Sequence, residues 1–267
     1  MDRRSQNSEV GVQSSAHALV SALGLRTASP EREQEVDANG SEGAVAGLIE
    51  GKGYFIWRVE QVLARPGMGT PREAARQARD AGIEHVIVKV ADGDDAYPLQ
   101  SRDADGHKEE ATVELIAALR REGIRVWGWA VAYGEGPEPE RQAAVFAGRA
   151  RQLSLTGLVV NAENHGERIW FRQRGEEQAR RYMRKLREEL AEVEGLIIGF
   201  SSYRYIEYQP SFPFAAFMEE ADIAMPRIFW VSRGEGDAIA DLRRSYREYK
   251  EAFPRKLYIP VGAAYGG

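Results

Sequence analysis

Within Leu158-Val159-Val160-Asn161-Ala162-Glu163, an amide and a carboxylate stand two residues apart at the end of an apolar run. Side chains alternate along a strand, so Asn161 and Glu163 share a face. A glutamate at a strand end beside aromatic residues is desolvated, which favours its protonated form and suits it to general acid work. The competing expectation is a glutamate tied up in an ion pair with Lys89 or Arg227. Other apolar runs end on polar or aromatic residues too: Lys89 and Asp92, Trp129 and Tyr133, Ser201, Ser202 and Tyr203, Arg227 and Trp230, and Tyr265. Such a set could bind a sugar, whose apolar C–H faces stack on aromatic rings. Lys89 lies in a stretch otherwise made of Val, Ile and Ala, where an unpaired ammonium costs several kcal/mol, so a carboxylate partner is expected. Strand parity puts Lys89 on a face with Ile87 and Ala91, and Asp92 on the opposite one unless the strand ends first.

Short β-branched or aromatic runs alternate with longer charged segments of helical period from Tyr54 onward. Strands are expected at 55–59, 85–91, 125–133, 157–163, 196–203, 222–230 and 256–264, and helices at 71–80, 108–121, 138–153, 176–192, 214–220 and 237–252. Thr70, Pro71 and Glu73 carry the signature of a helix start. Gly82, Gly123 and Gly195 fall where helices should end in a left-handed residue. Alternating βα units imply a parallel sheet with right-handed crossovers. No G-x-G-x-x-G follows the first strand, and the polar residues gather at strand C-termini, so the expectation is a (β/α)8-type TIM barrel. About seven strands are present and the last βα unit has no residues to form it, which makes the barrel C-terminally incomplete. The open edge between first and seventh strands would invite self-association. Residues 1–52, polar and lacking aromatic residues, read as a disordered leader, and 53–267 as the barrel domain.

Composition narrows the function. A net charge of −5 argues against nucleic acid as a partner. The absence of cysteine removes thiol chemistry and disulfides. No metal site or cofactor is expected: Asp103-Ala104-Asp105-Gly106 has Ser101 and Thr112 where a calcium loop needs acids, His165 has no partner at ligand spacing, and neither a P-loop nor a G-x-S-x-G elbow occurs. No apolar run is long enough to span a bilayer and no convincing signal peptide is seen, which leaves the cytoplasm as the default compartment. Arg180, Arg181, Arg184, Lys185 and Arg187 alternate with glutamates and read as a solvated helix face.

The runs Phe55-Ile56-Trp57, Val88-Lys89-Val90-Ala91-Asp92-Gly93, Val126-Trp127-Gly128-Trp129, Gly199-Phe200-Ser201-Ser202-Tyr203-Arg204 and Met225-Pro226-Arg227 resemble a group of bacterial barrel domains that look like glycoside hydrolases. The chain is more distantly similar to family 25 lysozymes, whose middle strand ends in Asp-x-Glu. Glu163 matches the Glu, which the resemblance makes the acid, and Asn161 replaces the Asp. An amide cannot act as a carboxylate nucleophile. Asn-x-Glu also looks like the pair of family 85 endo-N-acetylglucosaminidases, in which the amide orients the substrate's own acetamido group. The resemblance therefore implies a hydrolase of an N-acetylated or cell-wall-type glycan with Glu163 as acid/base and Asn161 as its helper. A carbohydrate-binding barrel without catalysis, and an inactive truncated fragment, are the alternatives.

Overall fold

The computed structural model describes residues 11–13, 49–98, 107–134, 138–164, 171, 174–229 and 235–263. Its strands are β1 (Gly11–Gln13), β2 (Lys52–Ile56), β3 (Ile83–Asp92), β4 (Asp95–Ala96), β5 (Arg125–Val131), β6 (Gly157–Asn161), β7 (Ile197–Ser201), β8 (Ile223–Ala224), β9 (Arg227–Ile228), β10 (Leu257–Tyr258) and β11 (Val261–Ala263). The helices are α1 (Val59–Leu63), α2 (Pro71–Asp80), α3 (His107–Arg121), α4 (Pro139–Gln152), α5 (Gly175–Glu189), α6 (Phe214–Glu220) and α7 (Glu235–Ala252).

Local chemistry accounts for the boundaries. Thr70 caps α2 by accepting from the Glu73 amide at 3.2 Å, and the Glu73 carboxylate accepts from the Thr70 amide at 3.0 Å, a complete capping box. Gly82, Gly123 and Gly195 all have positive φ, as their places after helices require. The first strand starts earlier than expected and stops at Ile56, because Val59 opens α1, whose inner side buries Val59 and Val62. The sixth and seventh strands are each split by a proline, Pro226 and Pro260, which have no amide to give to a ladder. Hydrogen bonding resumes past each break, with the Arg227 amide on the Ser202 carbonyl at 3.0 Å and the Val261 amide on the Pro226 carbonyl at 2.8 Å. The charged face of α5 is solvated and ion-paired, Arg180 with Glu176 at 3.1 Å and Lys185 with Glu189 at 2.8 Å.

Strands β2, β3, β5, β6, β7, β8/β9 and β10/β11 pair in parallel, in that order, as seven staves. The barrel is incomplete in the sense expected: the described residues form seven parallel units and no eighth. The gap is bridged by β1, which runs antiparallel to both neighbours, with Gly11 opposite Ala263 and Val12 opposite both Gly262 and Tyr54. Residues 1–10 and 14–48 of the expected leader lie outside the described residues.

Two apolar layers result. The larger lies between sheet and helices and includes Val88, Leu119, Phe146, Val160, Met183, Phe200 and Phe217. The smaller fills the barrel with Ile87, Trp127, Val159, Ile197, Ile223, Met225 and Val261. Trp127 fits only because its neighbour is Gly157, where an added Cβ would meet the indole at 2.5 Å. The inner faces follow the period of two along most staves and carry their next residues upward to the mouth, with β3 irregular at its end.

Candidate active site

At the C-terminal ends of the staves, inward residues form a cleft open to solvent. Its walls are aromatic: Phe55 and Trp57 from the end of β2, Trp129 from β5 and Phe229 beyond β9. Trp129 is fixed by its indole N–H, which donates to the Ile56 carbonyl at 2.9 Å, and Phe55 meets it edge-on at 6.3 Å. Asn161, Ser201 and Arg227 supply the polar floor. Asn161 and Ser201 sit side by side in the ladder between β6 and β7. The Asn161 Oδ1 atom is buried, and among the described residues no donor lies within hydrogen-bond reach of it.

Glu163 stands two residues past Asn161, beyond the end of β6, and its carboxylate forms an ion pair with Arg227. Both side chains are largely buried, 21% and 14% exposed, so the pair counts for more than a surface one. Arg227 thereby links Glu163 to the cleft that Arg227 itself lines.

Asp92 is a correction to simple alternation. Lys89 pairs in register with Trp129 but Ala91 pairs with Ala130, so Val90 is the extra residue of a β-bulge. The bulge reverses parity: Ala91 joins the outer layer, and Asp92 turns inward to meet the Lys89 ammonium at 3.0 Å. The other Asp92 oxygen accepts from the Tyr133 hydroxyl at 2.7 Å, and Gln142 holds both the amide and the carbonyl of Tyr133 at 2.9 Å. Lys89 is 4% exposed, and its ammonium lies 5.5 Å from the Trp57 ring, 4.6 Å from Tyr97 and 5.2 Å from Trp129. Burial pulls its pKa below the ordinary lysine value, and Asp92 opposes that shift.

The remaining expected residues fall in different places. Ser202 is buried and donates to the Ala162 carbonyl at 2.8 Å, and it is Ser201 that faces the cleft. Tyr203 packs against Phe212, with its hydroxyl on the Asn164 backbone at 2.5 Å, so it braces the segment that carries Glu163. Trp230 and Tyr265 lie outside the described residues, as do His165 and the segment 101–106. Sequence reasoning missed Phe55, Trp57 and Phe229 as walls. Trp57 stands two residues past Phe55 and Phe229 two past Arg227, and that strand period was the available signal.

No protein-family model matches the chain, and no curated protein matches it by sequence. Solved structures do. The Group IV chitinase of Ostrinia furnacalis in complex with allosamidin aligns at a TM-score of 0.52 and 10% identity, over 77% of this chain and 64% of the chitinase chain. A second structure of that chitinase gives 0.51 at 11% identity over the same shares. A GH18 chitinase from Pseudoalteromonas aurantia gives 0.45 at 15% identity, over 65% of this chain and 69% of the other. The likeness is one of fold, an incomplete TIM barrel. This chain spans 64% of the length of the Ostrinia chitinase. Glycoside hydrolases thus stand among its structural neighbours, and so does a sugar phosphate isomerase/epimerase from Parabacteroides distasonis.

Proposed function

We propose that the protein is a glycoside hydrolase acting on an N-acetylated, cell-wall-type glycan, with Glu163 as general acid/base and Asn161 receiving the 2-acetamido group. One observation carries the reading: the Asn161 amide oxygen is a buried acceptor in an aromatic-walled cleft with no donor among the described residues. A buried acceptor left alone is costly, and a ligand that turns the Asn161 amide toward the cleft would relieve it with its own N–H. An acetamido N–H is such a donor, and the rings of Trp57, Trp129 and Phe55 offer faces for the sugar.

With an amide at 161, the substrate has to supply its own nucleophile. The protonated Glu163 would give its proton to the glycosidic oxygen as the C1–O bond breaks, and the acetamido carbonyl oxygen would bond to C1. The resulting Glu163 carboxylate would then take a proton from the water whose oxygen adds to C1, releasing the acetamido group. The ion pair with Arg227 must open first, so ligand entry has to part the two side chains.

The test compares a chromogenic N-acetylglucosaminide with the matched glucoside. Wild type should cleave only the first, and Glu163→Gln should lower kcat/KM by about 10²- to 10⁴-fold. Equal turnover by the variant, or equal cleavage of the glucoside, would sink the proposal. The ion pair favours a second reading, a barrel that binds the sugar without cleaving it. Tight binding by wild type with no turnover would decide for that one.

A further inference from the structure

We propose that Lys89 is a positioning residue: its buried ammonium holds Trp57 and Trp129, the two tryptophan walls of the cleft, at a fixed separation, and Asp92 and Tyr133 lock the ammonium in place. Lys89 itself is shut away from a ligand, since it is 4% exposed and is not one of the residues that line the cleft. Its charge touches both walls at once, 5.5 Å from one ring and 5.2 Å from the other, with Tyr97 closing the third side at 4.6 Å. A desolvated cation over an aromatic face is among the stronger non-covalent contacts of a side chain.

The two walls need this tether unequally. Trp129 sits within β5 and has its own hydrogen bond to Ile56. Trp57 follows the last residue of β2, where the ladder has ended, so side-chain contacts must fix it. Two cations lie over its ring, Lys89 at 5.5 Å and Arg58 at 5.0 Å. The lock is equally specific. Asp92 uses one oxygen for Lys89 and the other for Tyr133, whose backbone is clasped by Gln142, so the ammonium is held by a chain of bonds running back to α4.

The sugar arm of the test rests on the carbohydrate reading, whereas the fluorescence arm does not. Acrylamide quenching of the full chain is measured with and without Trp57→Phe or Trp129→Phe, the difference giving each wall tryptophan's share among the five tryptophans, and triacetylchitotriose binding by calorimetry. Lys89→Met should raise the quenching of each wall tryptophan about two-fold and weaken sugar binding about ten-fold. With a hydrolysable substrate, KM should rise while kcat stays within about two-fold. Lys89→Arg, which keeps the cation, should recover most of both losses. Quenching and affinity equal to wild type in Lys89→Met, or Lys89→Arg behaving like Lys89→Met, would overturn the proposal. If Lys89→Met does not fold, Tyr133→Phe reads the lock directly: a smaller rise in quenching supports it and no rise refutes it. Failure of wild type to bind the sugar would count against the carbohydrate reading and leave Lys89 to the quenching arm.

Discussion

At the scale of single residues, the polar groups of the mouth differ in whether they are already satisfied. Lys89, Asp92, Tyr133, Glu163 and Arg227 all have partners, and the amide oxygen of Asn161 has none among the described residues. Asn161→Ala should therefore weaken binding of an N-acetylated sugar about ten-fold while leaving thermal stability equal or slightly higher, since an orphaned acceptor costs about 1–3 kcal/mol. Isothermal titration and thermal melts on the same samples would show it, and a fall in both would mean that Asn161 is structural. His85 makes a separate statement about acidity. It is fully buried inside the barrel, with Nδ1 3.3 Å from the Glu50 carbonyl and the Arg125 guanidinium nearby. Burial is the main cause pushing its pKa down to about 4, the Glu50 carbonyl opposes the shift and Arg125 adds to it. The unfolded chain binds this proton near pH 6.5 and the folded one does not until about pH 4. Between those values the unfolded state holds more protons, so stability falls as pH drops, by about 3 kcal/mol over the window. Urea melts from pH 7 to pH 4 should show this slope, and His85→Phe should flatten it.

At the scale of elements, the barrel interior is built from large and absent side chains in register. Gly157→Ala should cost about 1–3 kcal/mol because its Cβ would strike the Trp127 indole at 2.5 Å, which denaturant melts can measure. Element types were largely legible in the sequence, because a helix repeats every 3.6 residues, a strand every two, and Thr70, Gly82 and Gly123 mark boundaries in plain chemistry. The cleft was legible in part. Asn161 and Arg227 line it, Glu163 stands just outside its lining, and Glu163 found the arginine partner that is its competing expectation. What failed was counting across an irregularity. A bulge at Val90 leaves no mark in composition, so Asp92 was assigned to the wrong face of β3. The Ser201–Ser202 pair offered no sign of which hydroxyl would turn inward, because that depends on where β7 ends. The strands expected at 222–230 and 256–264 run straight through Pro226 and Pro260, which split both, although pairing resumes beyond each.

At the scale of the whole molecule, seven parallel staves leave two edges that would otherwise expose unpaired amides and carbonyls. Gly11–Gln13 covers both, lying between β2 and β11. Removing residues 1–13 should uncover those edges and shift the chain to larger species in size-exclusion chromatography, whereas an unchanged elution volume would show that the edges are blunt without the strand. The same tripeptide has a consequence for timing. Its partners are Tyr54 and Gly53 on one side and Ala263 and Gly262 on the other, so it bridges the first and last parallel staves. Contacts between such distant parts of a chain form late, since the loop they close must be ordered first. The strand that precedes all the others in the chain is thus the last that can be seated, and until it is, the nascent barrel stays ajar.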